Sequence, residues 1–291
     1  LNAHVNKRLE RAPAVLHPSD FSPASEVAFA HALKIALQSR ADLDLMHVGP
    51  SAPDGIDWSE FPGVRATLAR WGVLPEGMAA EDVDDALGFS VRKVIKAGGD
   101  PLGGMLAHVR EFAPDLIVLS THQREGVDRW LHRSVAEPLA RRSGAMTLFV
   151  PQRGHGFVSL QDGRVTLRRV LVPFDHAPRA DPALRKARTL ARGLGCTTGE
   201  VRLIHVGDPG RAPAPTDLAD AEWSQETVIR QGNVVQCILE EEAQWGADLL
   251  VLATQGHQDF LDALRGSTTE RVVRGARCPV LAVPARPEPA S

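Results

Sequence analysis

From Ala253 the chain reads Ala-Thr-Gln-Gly256, then nine residues from His257 to Arg265, then Gly266-Ser267. Residues this small leave backbone N–H groups uncovered. At a helix start, unpaired amides and the positive end of the helix dipole suit a phosphate. The hydroxyl of Ser267 or Thr268 adds a hydrogen bond. The plainer alternative is a capping box, with Ser267 as N-cap and Glu270 three residues on, and no ligand at all. The middle of the chain repeats the frame with bulk in it: Ser120-Thr-His-Gln123, nine residues from Arg124 to His132, then Arg133-Ser134. Gln123 and Arg133 crowd the space a triphosphate needs, and arginine cannot freely adopt every backbone geometry open to glycine. The first frame is therefore expected not to take the ligand that the second one takes.

The elements that must position these frames also occur twice. "AVLHPSDFS" around Asp20 matches "RVLVPFDHAP" around Asp175, 155 residues later, and "DLMHVG" matches "RLIHVG", with His47 and His205 158 apart. "DLIVLSTHQ" matches "DLLVLATQG", and Pro151 and Pro284 lie 133 apart. The drop in spacing places an insertion in the first copy, at about 51–90, with Trp58, Phe61 and Trp71. The repeat is a whole domain rather than a short solenoid unit. Domain boundaries are expected at 1–155 and 164–291.

Within each copy a short apolar strand ends at Asp, and an amphipathic helix follows. In the first copy Ala28, Ala32, Ile35 and Ala36 recur at helical spacing. A strand ending in His-Val, a third strand, and a helix carrying Met105, Leu106 and Val109 (or Ile238, Leu239 and Ala243) come next. A nearly all-apolar fourth strand, the frame, another helix and a last strand ending in Pro complete the copy. Alternating strands and helices imply a doubly wound parallel sheet in each domain, Rossmann-like, whose ligands sit beyond the strand carboxyl ends.

The 291 residues fit two domains of ordinary size. Hydrophobic residues at 43% and charged residues at 24% are the balance of a globular core, and a net charge of −3 gives no general pull toward nucleic acid or anionic membrane. No apolar run reaches the length of a membrane span. Three cysteines, Cys196, Cys237 and Cys278, without a C-x-x-C, point to a reducing cytoplasm and buried free thiols.

The second half closely resembles the universal stress protein family, whose ATP-binding members carry G-x-x-G, nine residues, then G-(S/T); Ala253 stands for the first glycine. "VLHPSDFS", "LMHV", "DLIVLSTH" and "RSVAEPL" extend the resemblance to the first half, and "VLVPFD", "LIHV" and "GSTTERV" carry it in the second. The resemblance implies the adenine-nucleotide α-hydrolase-like fold and an adenine nucleotide, ATP with or without magnesium, in the second domain. It implies that Asp175 faces the adenine, Pro173 shapes the strand exit and Val206 lines the base or ribose pocket. Ala253, Gly256, Gly266, Ser267 and Thr268 would surround the phosphates. With no Walker lysine, main chain would hold the phosphates, which favours holding a nucleotide over turning it over. The family's dimers imply that "MTLFVP" and "PVLAVP" meet as an intramolecular pseudo-dimer, with a homodimer of tandem chains also open.

For the first domain two readings stand. It is a degenerate packing partner, or it holds another ligand: a metal at His17, Asp20, His122 and His132, since imidazole and carboxylate are ordinary zinc ligands, or an anion at Arg124, His132 and Arg133. No G-x-S-x-G, H-E-x-x-H or kinase set assembles catalysis. The preferred function is a nucleotide-dependent regulator acting on an unknown protein partner. Slow ATP hydrolysis or nucleotidyl transfer is the enzyme alternative, and a ligand-free scaffold the third.

Overall fold

The computed structural model describes residues 12–49, 62–121, 135–152, 154–215, 222–254 and 268–284. The first half runs β1 (Ala14–Pro18), α1 (Pro23–Ser39), β2 (Asp42–Gly49), α2 (Val64–Arg70), α3 (Val83–Leu87), β3 (Val91–Ala97), α4 (Pro101–Phe112), β4 (Leu116–Thr121), α5 (Ala136–Ser143) and β5 (Met146–Pro151). The second runs β6 (Arg169–Pro173), α6 (Asp181–Gly193), β7 (Gly199–Val206), β8 (Trp223–Arg230), α7 (Val234–Trp245), β9 (Leu249–Thr254), α8 (Thr268–Gly275) and β10 (Val280–Pro284). Helices α2 and α3 fall in the expected insertion.

Local chemistry sets the boundaries. Prolines open α1, α4 and α6, where the missing N–H costs nothing. Asp100 and Asn233, at equivalent N-caps, accept from the N–H groups of Gly103 (3.0 Å) and Gln236 (3.2 Å).

The strands form one sheet in the order β3-β2-β1-β4-β5-β10-β9-β6-β7-β8. Pairing within each half is parallel, and β5 meets β10 antiparallel. These are the two strands named from sequence as the meeting point. Leu148 pairs with Leu281, its own counterpart, so a local two-fold passes between them, as in an isologous dimer interface. On one face α1 and α6 press matched alanines into the core: Ala28, Ala32 and Ala36 against Ala183, Ala187 and Ala191. On the other, Met105, Leu139, Ile238 and Val272 fill the layer beneath α4, α5, α7 and α8. Strand order reverses beside β1 and beside β6, which places the expected ligand crevices at the carboxyl ends of those strands.

The segment between the halves is packed rather than loose. His155 donates its N–H to the Arg277 carbonyl (3.1 Å), and the N–H of buried Phe157 donates to His31 Nε2 on α1 (3.0 Å). Trp71 Nε1 donates to the Leu160 carbonyl (3.2 Å), so the insertion's Trp71 is covered by this segment; Trp58 and Phe61 lie outside the described residues.

Two sequence expectations need correction. Ala243 is exposed, and the core face of α7 instead carries buried Glu241 and Glu242. Both carboxylates are satisfied: Glu241 by Arg202 and Arg230, Glu242 by the N–H groups of Arg277 and Cys278. Of the three free cysteines only Cys278 is buried, while Cys196 and Cys237 are half-buried.

Candidate functional site

In the second half the exit of β6 carries Pro173, Phe174 and Asp175. Parallel register sets Pro173 beside Ile204 of β7, and Val206 ends that strand two residues further on. Leu171 pairs with Leu250, so the end of β9, with Ala253 and Thr254, reaches the same edge. Phe174 is buried, and the Asp175 side chain is 61% exposed. Its Oδ1 accepts the neighbouring His176 N–H, at 2.8 Å. A cavity of about 310 Å³ opens there, with Phe174, Asp175, His176, Leu184, Leu203 and Pro213 in its lining. An apolar floor with a few polar groups, here Asp175 and the paired Arg179 and Asp181, is the make-up of a small-molecule pocket. Thr268 is exposed at the start of α8. Gly256, Gly266 and Ser267 lie outside the described residues.

His205 sits beside Asp175, with Nδ1 4.0 Å from Oδ1. That nitrogen is 3.2 Å from the Phe174 carbonyl, which only accepts, so Nδ1 carries the proton. His47 repeats the arrangement, with Nδ1 donating to the Ser19 carbonyl at 2.9 Å. A Cβ on Gly207 would stand 2.7 Å from His205 Nε2, and one on Gly49 2.9 Å from His47 Nε2. The glycine two residues after each histidine is therefore a space requirement of its ring. Its signal in the sequence is the "HVG" that both copies share.

The first half closes the same exit on itself. Asp20, half-buried, accepts both the N–H (3.0 Å) and the Oγ–H (2.6 Å) of Ser22. The Phe21 ring stacks on His47 at 4.2 Å and 20° between planes. His17 is fully buried: Nδ1 donates to the Val118 carbonyl (3.0 Å) and Nε2 accepts from Ser25 Oγ (3.3 Å). Burial lowers its pKa to about 4, so the ring is neutral and both nitrogens are occupied. His17 is thereby removed from the metal set considered from sequence. No cluster of three or more metal-type side chains occurs among the described residues; His122 and His132, like Arg124 and Arg133, lie outside them. Ser19, Ser25 and Phe21 were missed by sequence reasoning. The available signal was their replacement of Phe174, Ala180 and His176 of the other copy.

No helix among the described residues is long and apolar enough to cross a membrane. The model of the Universal stress protein family matches residues 13–151 and 221–284. Ala253 to Thr268 lie inside the second segment, while Pro173, Asp175 and Val206 lie outside both. A curated relative, universal stress protein A homolog 2 of Coxiella burnetii, is 37% identical over 60 residues, 21% of this chain; the match spans only 40% of that relative's length. Among solved structures, a universal stress protein from Archaeoglobus fulgidus superposes with a TM-score of 0.60 at 22% identity, covering 94% of this chain and 97% of that one. A putative universal stress protein from Pseudomonas aeruginosa gives 0.55 at 15% identity, covering 95% of each chain. At these identities the two structures show the fold.

Proposed function

The chain belongs to the universal stress protein family, and we propose that its second half binds an adenine nucleotide, ATP, as the ligand of a nucleotide-dependent regulatory protein. The observation that carries this reading is Asp175: exposed at the switch point of the sheet, on a cavity of about 310 Å³, with its counterpart Asp20 tied into a turn. A carboxylate accepts from the exocyclic amine of adenine and repels the carbonyl that guanine carries at the same position. Phe174, Leu184 and Leu203 give the ring an apolar bed. Pro173 and Val206 would flank the base and ribose. Ala253, Gly256, Gly266, Ser267 and Thr268 would hold the phosphates through main-chain N–H groups and hydroxyls, with magnesium sharing their charge. The first half is then a packing partner joined through β5 and β10, and the regulated surface belongs to a protein partner.

The test is calorimetric titration of ATP with magnesium into nucleotide-free protein, beside a Gly266→Arg variant that copies Arg133. One site in the parent and none in the variant supports the reading. Two sites in the parent would show that the first half is open, and no site at all would end the ATP assignment.

A further inference from the structure

We propose that Phe21 is a built-in occupant of the first half's base position, and that this side chain decides that the protein takes one purine rather than two. The inference rests on reading the second half as a nucleotide site, and it adds a cause for single occupancy that is independent of the glycine frames.

Phe21 lies nearly parallel to the His47 imidazole at 4.2 Å, the offset-stacked contact that a flat heteroaromatic ring would itself make there. It does so from a backbone φ of 60°, a left-handed conformation that bulky side chains rarely adopt. The equivalent residue, His176, instead places Nε2 2.9 Å from the Arg211 carbonyl and stands in the wall of the cavity that Asp175 also lines.

A chain of buried polar groups holds the strained turn. Because His17 Nδ1 donates to a carbonyl, its Nε2 must accept, so Ser25 donates to His17. Ser19 then donates to Ser25 Oγ (3.1 Å), and Ser19 Oγ accepts the Phe21 N–H (3.2 Å). At the matching positions the second half has Val172, Ala180 and Phe174, none with a side-chain hydrogen-bonding group. The aromatic residue has thus moved from the inner position, where Phe174 is buried 5.7 Å from His205, to the outer one over His47. Phe29, in place of Leu184, is a larger buried side chain, its ring 6.3 Å from that of His17. These differences act in one direction: the ring is delivered, the turn that delivers it is fixed, and Asp20 Oδ1 accepts both bonds from Ser22.

The experiment uses adenosine, which lacks phosphates and so does not consult the glycine frames. Full-length parent, Phe21→Ala and Phe21→His proteins are titrated by equilibrium dialysis, with the ring resonances of His47 and His205 followed by NMR. Phe21→Ala opens the space outright; Phe21→His installs the residue the second half already accommodates, and guards against a variant that merely misfolds. The expected result is one adenosine and an unmoved His47 in the parent, with a second adenosine and a shifted His47 in a variant. If His47 stays unmoved in both variants, Phe21 is only a turn residue and the inference falls. His205 reports separately: no response there in any of the three proteins defeats the nucleotide reading of the second half, while His47 still decides the role of Phe21.

Discussion

At the amino ends of the strands the two halves solve one packing problem with opposite charges. In the first half Asp44 on β2 binds Arg92 on β3 (2.8 Å) and His108 on α4 (2.7 Å), and the Arg92 guanidinium lies 5.1 Å from the Phe112 ring. In the second, the same four positions hold Arg202, Glu226, Glu241 and Trp245, with Arg202 bound to both glutamates and 4.4 Å from the indole. The acid has become the base, and its partners Arg92 and His108 have become Glu226 and Glu241. A parallel sheet with helices on it fixes where these side chains meet, and leaves open which one carries the charge. Position belongs to the fold, and the chemistry at that position is free to diverge between copies. The strand exits show the same freedom turned to a different end, one open and one self-filled.

The halves differ in how far these clusters are from water, and that should appear as unequal cost. Glu241 is 3% exposed and pairs with Arg202, itself only 19% exposed, so Glu241→Ala strands a largely buried guanidinium with Glu226 alone. The expected loss is about 3–5 kcal/mol, as for other broken buried pairs. Asp44 is fully buried, but its partner Arg92 is 54% exposed and can rehydrate. Asp44→Ala should cost about 1–3 kcal/mol, mostly the unmet bond of His108. Urea unfolding of the two variants checks the ranking, and equal losses would break the comparison.

Acid should weaken the first half first. His17 and His31 are fully buried, and burial lowers each pKa from 6.5 to about 4. Their counterparts are Val172 and exposed Lys186. A histidine whose folded pKa is depressed contributes stability in full above pH 6.5 and loses it as pH falls toward 4. Each is worth about 3 kcal/mol over that window. The double variant His17→Val/Ser25→Ala, which copies Val172 and Ala180, should flatten the decline between pH 6.5 and 4 by about that amount. Denaturant midpoints across the range measure it; an unchanged slope would mean that His17 is not the acid-sensitive group.

The sequence carried most of the frame, because alternating apolar runs and small-residue turns are local signals that occur twice. The succession of strands and helices and both Asp exits could be read from it, the β5–β10 meeting followed from the family resemblance, and the strand order came from the structure. What stayed hidden was the pairing of charges across separate elements. Glu241 sits in a helix whose apolar spacing suggested Ala243 as the core residue, and only the nearness of Arg202 and Arg230 makes its burial tolerable. Phe21 carries no signal of its own, since nothing local says that its ring reaches His47. Both depend on contacts between residues distant in the chain, which a repeat alignment flags as differences but cannot interpret.

The smallest expected effect lies on the local two-fold itself. Glu137 on α5 and Glu270 on α8 are equivalent residues, and Arg274 bridges them, 3.8 Å from Glu137 and in contact with Glu270. Burial, then the neighbouring Glu270 carboxylate, pushes the Glu137 pKa up, with Arg274 and Arg141 opposing. A carboxyl whose folded pKa is raised favours the folded state below its unfolded pKa, and that advantage is lost as pH rises through the folded value. Glu137→Gln removes the ionisation and keeps a hydrogen-bonding amide beside Glu270. The variant should match the parent near pH 4 and exceed it in unfolding free energy by neutral pH, by less than about 1 kcal/mol for so partly exposed a site, as denaturant unfolding at the two pH values checks. Glu270→Gln tests the symmetry of the pair. Because Arg274 is in contact with Glu270 and stands 3.8 Å from Glu137, the second substitution should gain less than the first, and an equal gain would show that the two halves share this one site evenly.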